Sequence, residues 1–581
     1  MRRQKADKVF MSAKIYTISP TNQIYEAVAV KDGKISNLGM NKDVNDWMGE
    51  NTEIIDLRGR IVLPGFIDCH THVPGLAYDI LFNLNLYNAL SSNETLSLIE
   101  DFVKENPDLE IYYGRGFNPA FFQGIESVKG PKKEHLDRIC PDKPVILSDF
   151  GGNLYWMNSK AFETYKITKD TKSPEDGVIE IDDETKELWG VIREGARALV
   201  PPQHFSDDQK YQAHKLFQDV MNSYGYTTVF ALRPPGTVEP RTPDLEVFAR
   251  LEKQCELSLR IFGARDMDSM ADIEQQLDGM KELRKRYHSD FIRFTTAKFF
   301  LDGVIESATA YLLEPYEEAA GKDKHYRGKF FWNSDKLTLA FQRCMEEGFQ
   351  IHCHSIGDGA TRIALDSLEK ALSAVQPGDY RNSLTHLQLV SEEDIKRMSD
   401  LHVIANTQPF WHLKSPTMWW SLESPLLGER AEKEYPLQSF IREGVLVTAS
   451  SDYPVTAEPN PLYAIQIGVT RNLNNSKAYQ LPPLTDMDDP RYLLDENERA
   501  DIMEMIKSYT INSAFALNQE KNLGSIEIGK FADFVILDQD PFTVDPLDLE
   551  NIVIEQTVFN GETVYLYNRG ASTIFHPRGG D

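Results

Sequence analysis

Two textures of hydrophobic patterning divide the chain. Residues 8–63 alternate short β-like runs with turns: KVFMSAKIYTI, AVAVKDGKISNLG and TEIIDLRGRIVL, with Asp-Gly and Arg-Gly pairs where hairpin turns belong. The end of the chain has the same texture in FADFVILD and NIVIEQTVFNGETVYLYN, the latter with an Asn-Gly turn at 560–561. Between them, short apolar strands alternate with helical patterns such as LTLAFQRCMEEG and ATRIALDSLEKALSAV, which predicts a parallel α/β core. Eight strands can be read: VLPGFIDCHTH, then residues 227–232, 259–266, 294–303, 349–358, 382–390, 402–410 and 445–455. Eight strand–helix units predict a (β/α)8 TIM-like barrel with its site at the C-terminal ends of the strands. The stretch of about 75–220 is too long for one connection and predicts an inserted subdomain after strand one, in which GVIEIDDETKELWGVI reads as a hairpin. The β texture at both ends predicts one small β-sandwich domain made from residues 1–64 and 521–581, flanking a barrel of residues 65–520.

Candidate chemistry starts at GFIDCHTHV, residues 65–73. In a strand, residues i, i+2 and i+4 share a face, so Asp68, His70 and His72 point together, with Cys69 and Thr71 opposite. Partners stand at the ends of later strands: Lys298 on four, His352 and His354 on five, His386 on six and Asp452 on eight. Singly, each has a plain structural explanation: a hydrogen-bonded core histidine, an ion-paired lysine, a helix-capping aspartate. In order, at one end of one barrel, they predict a metal centre. Several imidazoles and a carboxylate suit a divalent ion such as zinc with one position open to water. Such an ion lowers the pKa of its water towards about 7. Asp452 is placed to take the water's proton and pass it to a leaving group. A protonated Lys298 would repel the ion; it can serve as a neutral amine or, after reaction with carbon dioxide, as a carbamate whose two oxygens bridge two metals.

Composition narrows the partners. The 62 basic and 89 acidic residues give a net charge of −27, a field that repels nucleic acid and anionic lipid. A small-molecule substrate is therefore expected, with no nucleic acid and no membrane partner; self-association is left open. No apolar stretch approaches the roughly 20 residues of a membrane helix. The first residues, MRRQKADKVF, lack a following apolar segment, so no signal peptide is expected. Five cysteines without a spaced framework suit a reduced, cytoplasmic setting. Aromatic residues crowd the stretches expected near the barrel mouth: Phe117, Phe121, Phe122, Tyr155, Trp156, Phe410, Trp411, Trp419, Trp420 and Tyr453. They suit a largely apolar ligand, lined by Phe117, Trp156, Trp411 and Tyr453, with Arg115, Asn153 and His412 as polar contacts.

The chain resembles metal-dependent hydrolases of the amidohydrolase superfamily, in the YtcJ-like (amidohydrolase-3) branch. The resemblance rests on LPGFIDCHTHV, YWMNSKAF, GVIREGA, AKFFLDGVIESATA, HSIGDGA, THLQLV, ASSDYPV, IGVTRN and YTINSAFALNQEKNLGSIEIGKFADFVILD, in order along the chain. It implies metal ligands at His70, His72, Lys298, His354, His386 and Asp452, with Asp452 also the catalytic proton shuttle. It implies a carboxylated Lys298 and two divalent ions, zinc first and manganese, iron or nickel as alternatives. Of the two strand-five histidines it selects His354, leaving His352 a layer deeper as structural; Cys69 and Cys353 read as packing residues. One departure touches the substrate. Where relatives often carry Asp-Gly-His ahead of the Trp-x-Asn-Ser stretch, this chain has Gly151-Gly152-Asn153. The expected activity is hydrolysis of an amide or other non-peptide C–N bond in a small, largely apolar molecule. Deamination, ester hydrolysis and metal-dependent decarboxylation on the same scaffold, or a non-catalytic binding relative, are the alternatives.

Overall fold

The structure, a computed structural model, describes residues 5–568 apart from 88, 150, 151, 153, 175, 176, 235–240, 475 and 480. Its central sheet has eight parallel strands in sequential order: β1 (Phe66–His72), β2 (Tyr226–Leu232), β3 (Arg260–Asp266), β4 (Ile292–Phe300), β5 (Gln350–Ser355), β6 (Ser383–His386), β7 (Ile404–Thr407) and β8 (Val447–Ala449). The strands read as near-continuous apolar or β-branched runs because both faces are covered; every residue of β2 is buried. The last strand returns to the first. The Asp452 amide donates to the His70 carbonyl at 2.9 Å, and the Ser451 amide to the Asp68 carboxylate at 3.2 Å. This nearly closed barrel is the architecture expected from the eight strand patterns.

Register carries function here. Asp266 lies opposite Lys298, Lys298 opposite His352, Phe300 opposite His354, and Ser355 opposite His386, so the candidate ligands gather at one end. Strands β6 and β8 are shorter than the sequence patterns at 382–390 and 445–455. For β6 the reason is backbone conformation: His386 (φ +78°) and Leu387 (+53°) occupy the left-handed region, which ends an extended strand, and Asp452 (+52°) does so in the turn after β8.

The chain divides into two compact units. One comprises residues up to Gly75 together with the chain from Phe217 on; the other comprises Leu76–Leu216. In the first unit, residues from both ends of the chain share a six-stranded sheet ordered Glu562–Leu566, Ile554–Phe559, Phe534–Leu537, Ile61–Pro64, Lys14–Tyr16, Ile24–Tyr25. Phe534–Leu537 runs antiparallel to Ile61–Pro64, and Phe10, Ile15, Val28, Val62, Phe534, Ile536 and Val558 share one core. A four-stranded sheet of Lys34–Gly39, Ala27–Lys31, Lys8–Met11 and Glu53–Asp56 is built from the early residues alone. The second unit holds a mixed six-stranded sheet that includes the antiparallel pair Gly177–Ile181 and Leu188–Glu194, where the hairpin was expected. Among the described residues, no helix is long and apolar enough to cross a membrane.

Candidate metal centre

Four imidazoles gather at the barrel's end, and three of them, His70, His72 and His386, are held from behind by a hydrogen bond at Nδ1. His72 Nδ1 lies 2.6 Å from the Arg233 carbonyl, which can only accept, so Nδ1 carries the proton and Nε2 a lone pair. His386 Nδ1 lies 2.8 Å from Gln408 Oε1. The Gln408 amide nitrogen is spent on Ser450 Oγ (2.7 Å), Asn406 Oδ1 (3.1 Å) and Thr385 Oγ1 (3.2 Å), so its oxygen must face His386. His354 Nδ1 lies 3.3 Å from Asp302 Oδ1 without hydrogen-bond geometry, and that carboxylate is anchored by the amides of Tyr311, Ile356 and Gly357. His70 Nδ1 lies 2.8 Å from His352 Nε2.

The forward-facing atoms then converge. Asp452 Oδ1 stands 3.3 Å from both His70 Nε2 and His72 Nε2. Ligand atoms of His70, His386 and Asp452 all lie within 4.8 Å of one another. Burial pushes His70, His354 and His386 well below the usual imidazole pKa, with the Lys298 charge the next cause for the first two and His354 for the third. Burial thus disfavours a charge on these three rings, which suits ligation through a ring nitrogen. Asp452 Oδ1 and Lys298 Nζ are buried without a hydrogen-bond partner among the described residues. A buried cluster of acceptors with orphaned atoms is what a cation completes; the donor set fits a divalent ion. Burial also lowers the Lys298 ammonium to about 8, against the opposing pull of Asp266 and Asp452. The positive φ at His386 and Asp452 places backbone strain at this same cluster.

Asp68 shares the strand face of the two histidines but not their role. Its carboxylate accepts from the Ser451 hydroxyl and amide and from the His70 amide, tying β1 to the turn after β8. Burial raises it to about 7 while those bonds hold it down. Cys69 and Cys353 are buried, and neither belongs to the acceptor cluster.

The aromatic and polar residues expected around a substrate separate. Phe117 and Trp156 lie wholly inside the core of the second unit, with ring centroids 5.4 Å apart, and the Trp156 indole donates to the Lys132 carbonyl. There they face packed side chains rather than an open cavity, because the sheet of that unit needed a large apolar filling. Arg115 is half-buried in the same unit, 3.8 Å from Asp79. Asn153 lies outside the described residues. His412 is fully buried and stacks on Tyr435 at 4.7 Å, and Tyr453 is 1% exposed. Trp411 is half-buried and stacks on His386 at 5.7 Å. Sequence reasoning missed Phe300, which is 43% exposed and stacks on His354 at 3.9 Å. The signal was available, since Phe300 follows Lys298 by two and shares its strand face. It also missed Asp302 and Gln408, whose roles depend on contacts between different strands.

A family model described as the amidohydrolase family matches residues 53–565. The chain belongs to the amidohydrolase family, enzymes that act on carbon–nitrogen bonds other than peptide bonds. It is 28% identical over 561 residues to a putative amidohydrolase, YtcJ, of Bacillus subtilis, covering 95% of this chain and 98% of that one. It is 26% identical over 579 residues to an N-substituted formamide deformylase of Arthrobacter pascens, covering 98% and 100%. In fold it is similar to a crystal structure of an uncharacterized metal-dependent hydrolase from Pyrococcus furiosus, with a TM-score of 0.70, 24% identity, and coverage of 92% of this chain and all of that one.

Proposed function

We propose that the protein hydrolyses an amide or related non-peptide C–N bond in a small, largely apolar molecule, using divalent metal held by His70, His72, Lys298, His354, His386 and Asp452. The observation that carries this is the convergence of His70 Nε2 and His72 Nε2 on Asp452 Oδ1, 3.3 Å from each and without a hydrogen-bond partner among the described residues. A divalent ion bound there supplies Lewis acidity, polarising a carbonyl oxygen and lowering the pKa of water. Asp452 Oδ1 accepts the proton of the attacking water and returns it to the departing nitrogen. The neutral amine of Lys298, brought within reach near neutral pH by burial, would ligate directly or, after adding to carbon dioxide with loss of a proton, would offer carbamate oxygens as ligands. Phe300 and Trp411, stacked on His354 and His386, offer apolar faces beside the reacting bond. The formamide deformylase relative supports a C–N bond as the target.

The test pairs metal analysis with a substrate panel. Protein loaded with zinc should retain one to two ions per chain after desalting and turn over apolar N-formyl or N-acyl compounds. Turnover confined to small polar or polyanionic compounds would contradict the substrate reading. Failure to retain any divalent ion would contradict the whole proposal.

A further inference from the structure

The four imidazoles differ in what stands behind them. Two backing groups are fixed acceptors, the Arg233 carbonyl behind His72 and the Gln408 amide oxygen, its nitrogen committed elsewhere, behind His386; behind His354 stands the Asp302 carboxyl at 3.3 Å. The fourth is another imidazole. His352 Nε2 lies 2.8 Å from His70 Nδ1, and His352 Nδ1 lies 2.7 Å from Ser383 Oγ. An imidazole can donate or accept at that position, so the state of His70 depends on the state of His352.

Two arrangements satisfy both contacts. If His352 Nε2 carries a proton and donates to His70 Nδ1, then His70 is protonated on Nε2. It would present N–H to Asp452 and could not ligate. If instead His352 is protonated on Nδ1 and donates to Ser383, its Nε2 accepts from His70 Nδ1–H, and His70 Nε2 keeps its lone pair 3.3 Å from Asp452 Oδ1. In this second arrangement the Ser383 hydroxyl turns its own proton to the Ile351 carbonyl, 3.5 Å away. His352 is held for the role. It is 3% exposed, and the edge of its ring packs on Phe230 with centroids 4.9 Å apart.

We infer that His352, backed by Ser383, is a positioning residue that selects the metal-binding tautomer of His70. This rests on the metal centre proposed above and extends it one layer inward, to a residue that the family resemblance leaves as structural. His352 touches no reacting atom and acts through His70.

The experiment measures zinc affinity by competition with a chromophoric chelator for the parent, His352→Gln, His352→Met and Ser383→Ala. It adds apo-protein melting curves and the visible spectrum of the cobalt-loaded forms. Methionine fills the volume but cannot accept. Removing a partner of this kind costs about 10–100-fold in metal affinity, and that loss is expected for His352→Met. Glutamine carries an amide oxygen that can accept from His70 Nδ1–H, so His352→Gln should stay within about fivefold of the parent. The cobalt spectrum should match the parent in His352→Gln and change in His352→Met. A purely structural role would instead lower the apo melting temperature and leave affinity and spectrum alone. Parent-like zinc affinity in a folded His352→Met overturns the inference. If that variant does not fold, Ser383→Ala decides: a smaller loss of the same sign supports it, and unchanged affinity overturns it. A parent protein that binds no zinc would overturn the metal centre itself and the tautomer role with it.

Discussion

At the residue scale, the decisive fact is which atom of each imidazole faces inward. The His-x-His of β1 and the histidines of β5 and β6 are legible in the sequence because the barrel brings their strand ends together. The tautomers are not legible, since they depend on Arg233, Asp302, Gln408 and His352, each from a strand or loop distant in sequence. Asp452 is the group expected to move a proton. Asp452→Asn should leave the melting curve nearly unchanged while lowering kcat by roughly a hundredfold or more. Undiminished turnover in that variant would exclude Asp452 from proton transfer. Gly75 tests the support of the same region. Its φ is +61°, and a Cβ there would come within 1.8 Å of the Tyr453 ring, next to Asp452. Gly75→Ala should therefore lower both the melting temperature and the zinc affinity, as a strained, overpacked position does. Loss of neither would show that the turn and the Tyr453 ring can part at little cost.

At the element scale, long periodic segments were readable and short ends were not. The eight barrel strands appear where apolar runs predict them, because parallel strands buried on both faces leave an unmistakable pattern. The end of β6 is not legible, because the left-handed residues His386 and Leu387 stop that strand early, at the site. In the second unit, only the hairpin strands are legible; Tyr112–Phe117 and Leu154–Met157 are short, and their aromatic residues Phe117 and Trp156 read as a pocket lining rather than core. The pairing of Phe534–Leu537 with Ile61–Pro64 carries its own expectation. A chain truncated from about residue 525 would expose the edge of Ile61–Pro64, directly before β1, and should melt at a lower temperature and aggregate more readily. Equal melting of the full and truncated chains would show that β1 does not depend on that sheet.

At the scale of the whole molecule, buried acids shape the response to pH. Gln388, two residues beyond His386, donates to Glu434 at 2.7 Å and to Glu423 at 3.2 Å. Glu423 is raised to about 8, first by burial and then by the charge of Glu306; Glu434 is raised well above the usual value by burial and then by Glu423. A carboxyl whose folded pKa is raised holds a proton that the unfolded chain releases. Its contribution to stability is complete below about 4.5 and is lost as pH rises towards about 8. The melting temperature should fall between pH 6 and 9, and Glu423→Gln, which cannot ionise, should reduce that fall. Parallel declines in parent and variant would mean that other groups govern the alkaline limb. The charge of −27 should slow the approach of polyanionic substrates, an effect that added salt would relieve.

The central claim is that these side chains hold a divalent ion between the ends of β1, β6 and β8. Anomalous diffraction at the zinc edge, from crystals of zinc-loaded protein, tests it most directly. The expected result is a peak within coordination distance, about 2.0–2.2 Å, of His70 Nε2, His72 Nε2 and an Asp452 oxygen, with a second peak near Lys298 if its amine is carboxylated. Zinc-loaded crystals with no anomalous peak among these residues, and with Asp452 Oδ1 bonded instead to protonated imidazole, would contradict the account.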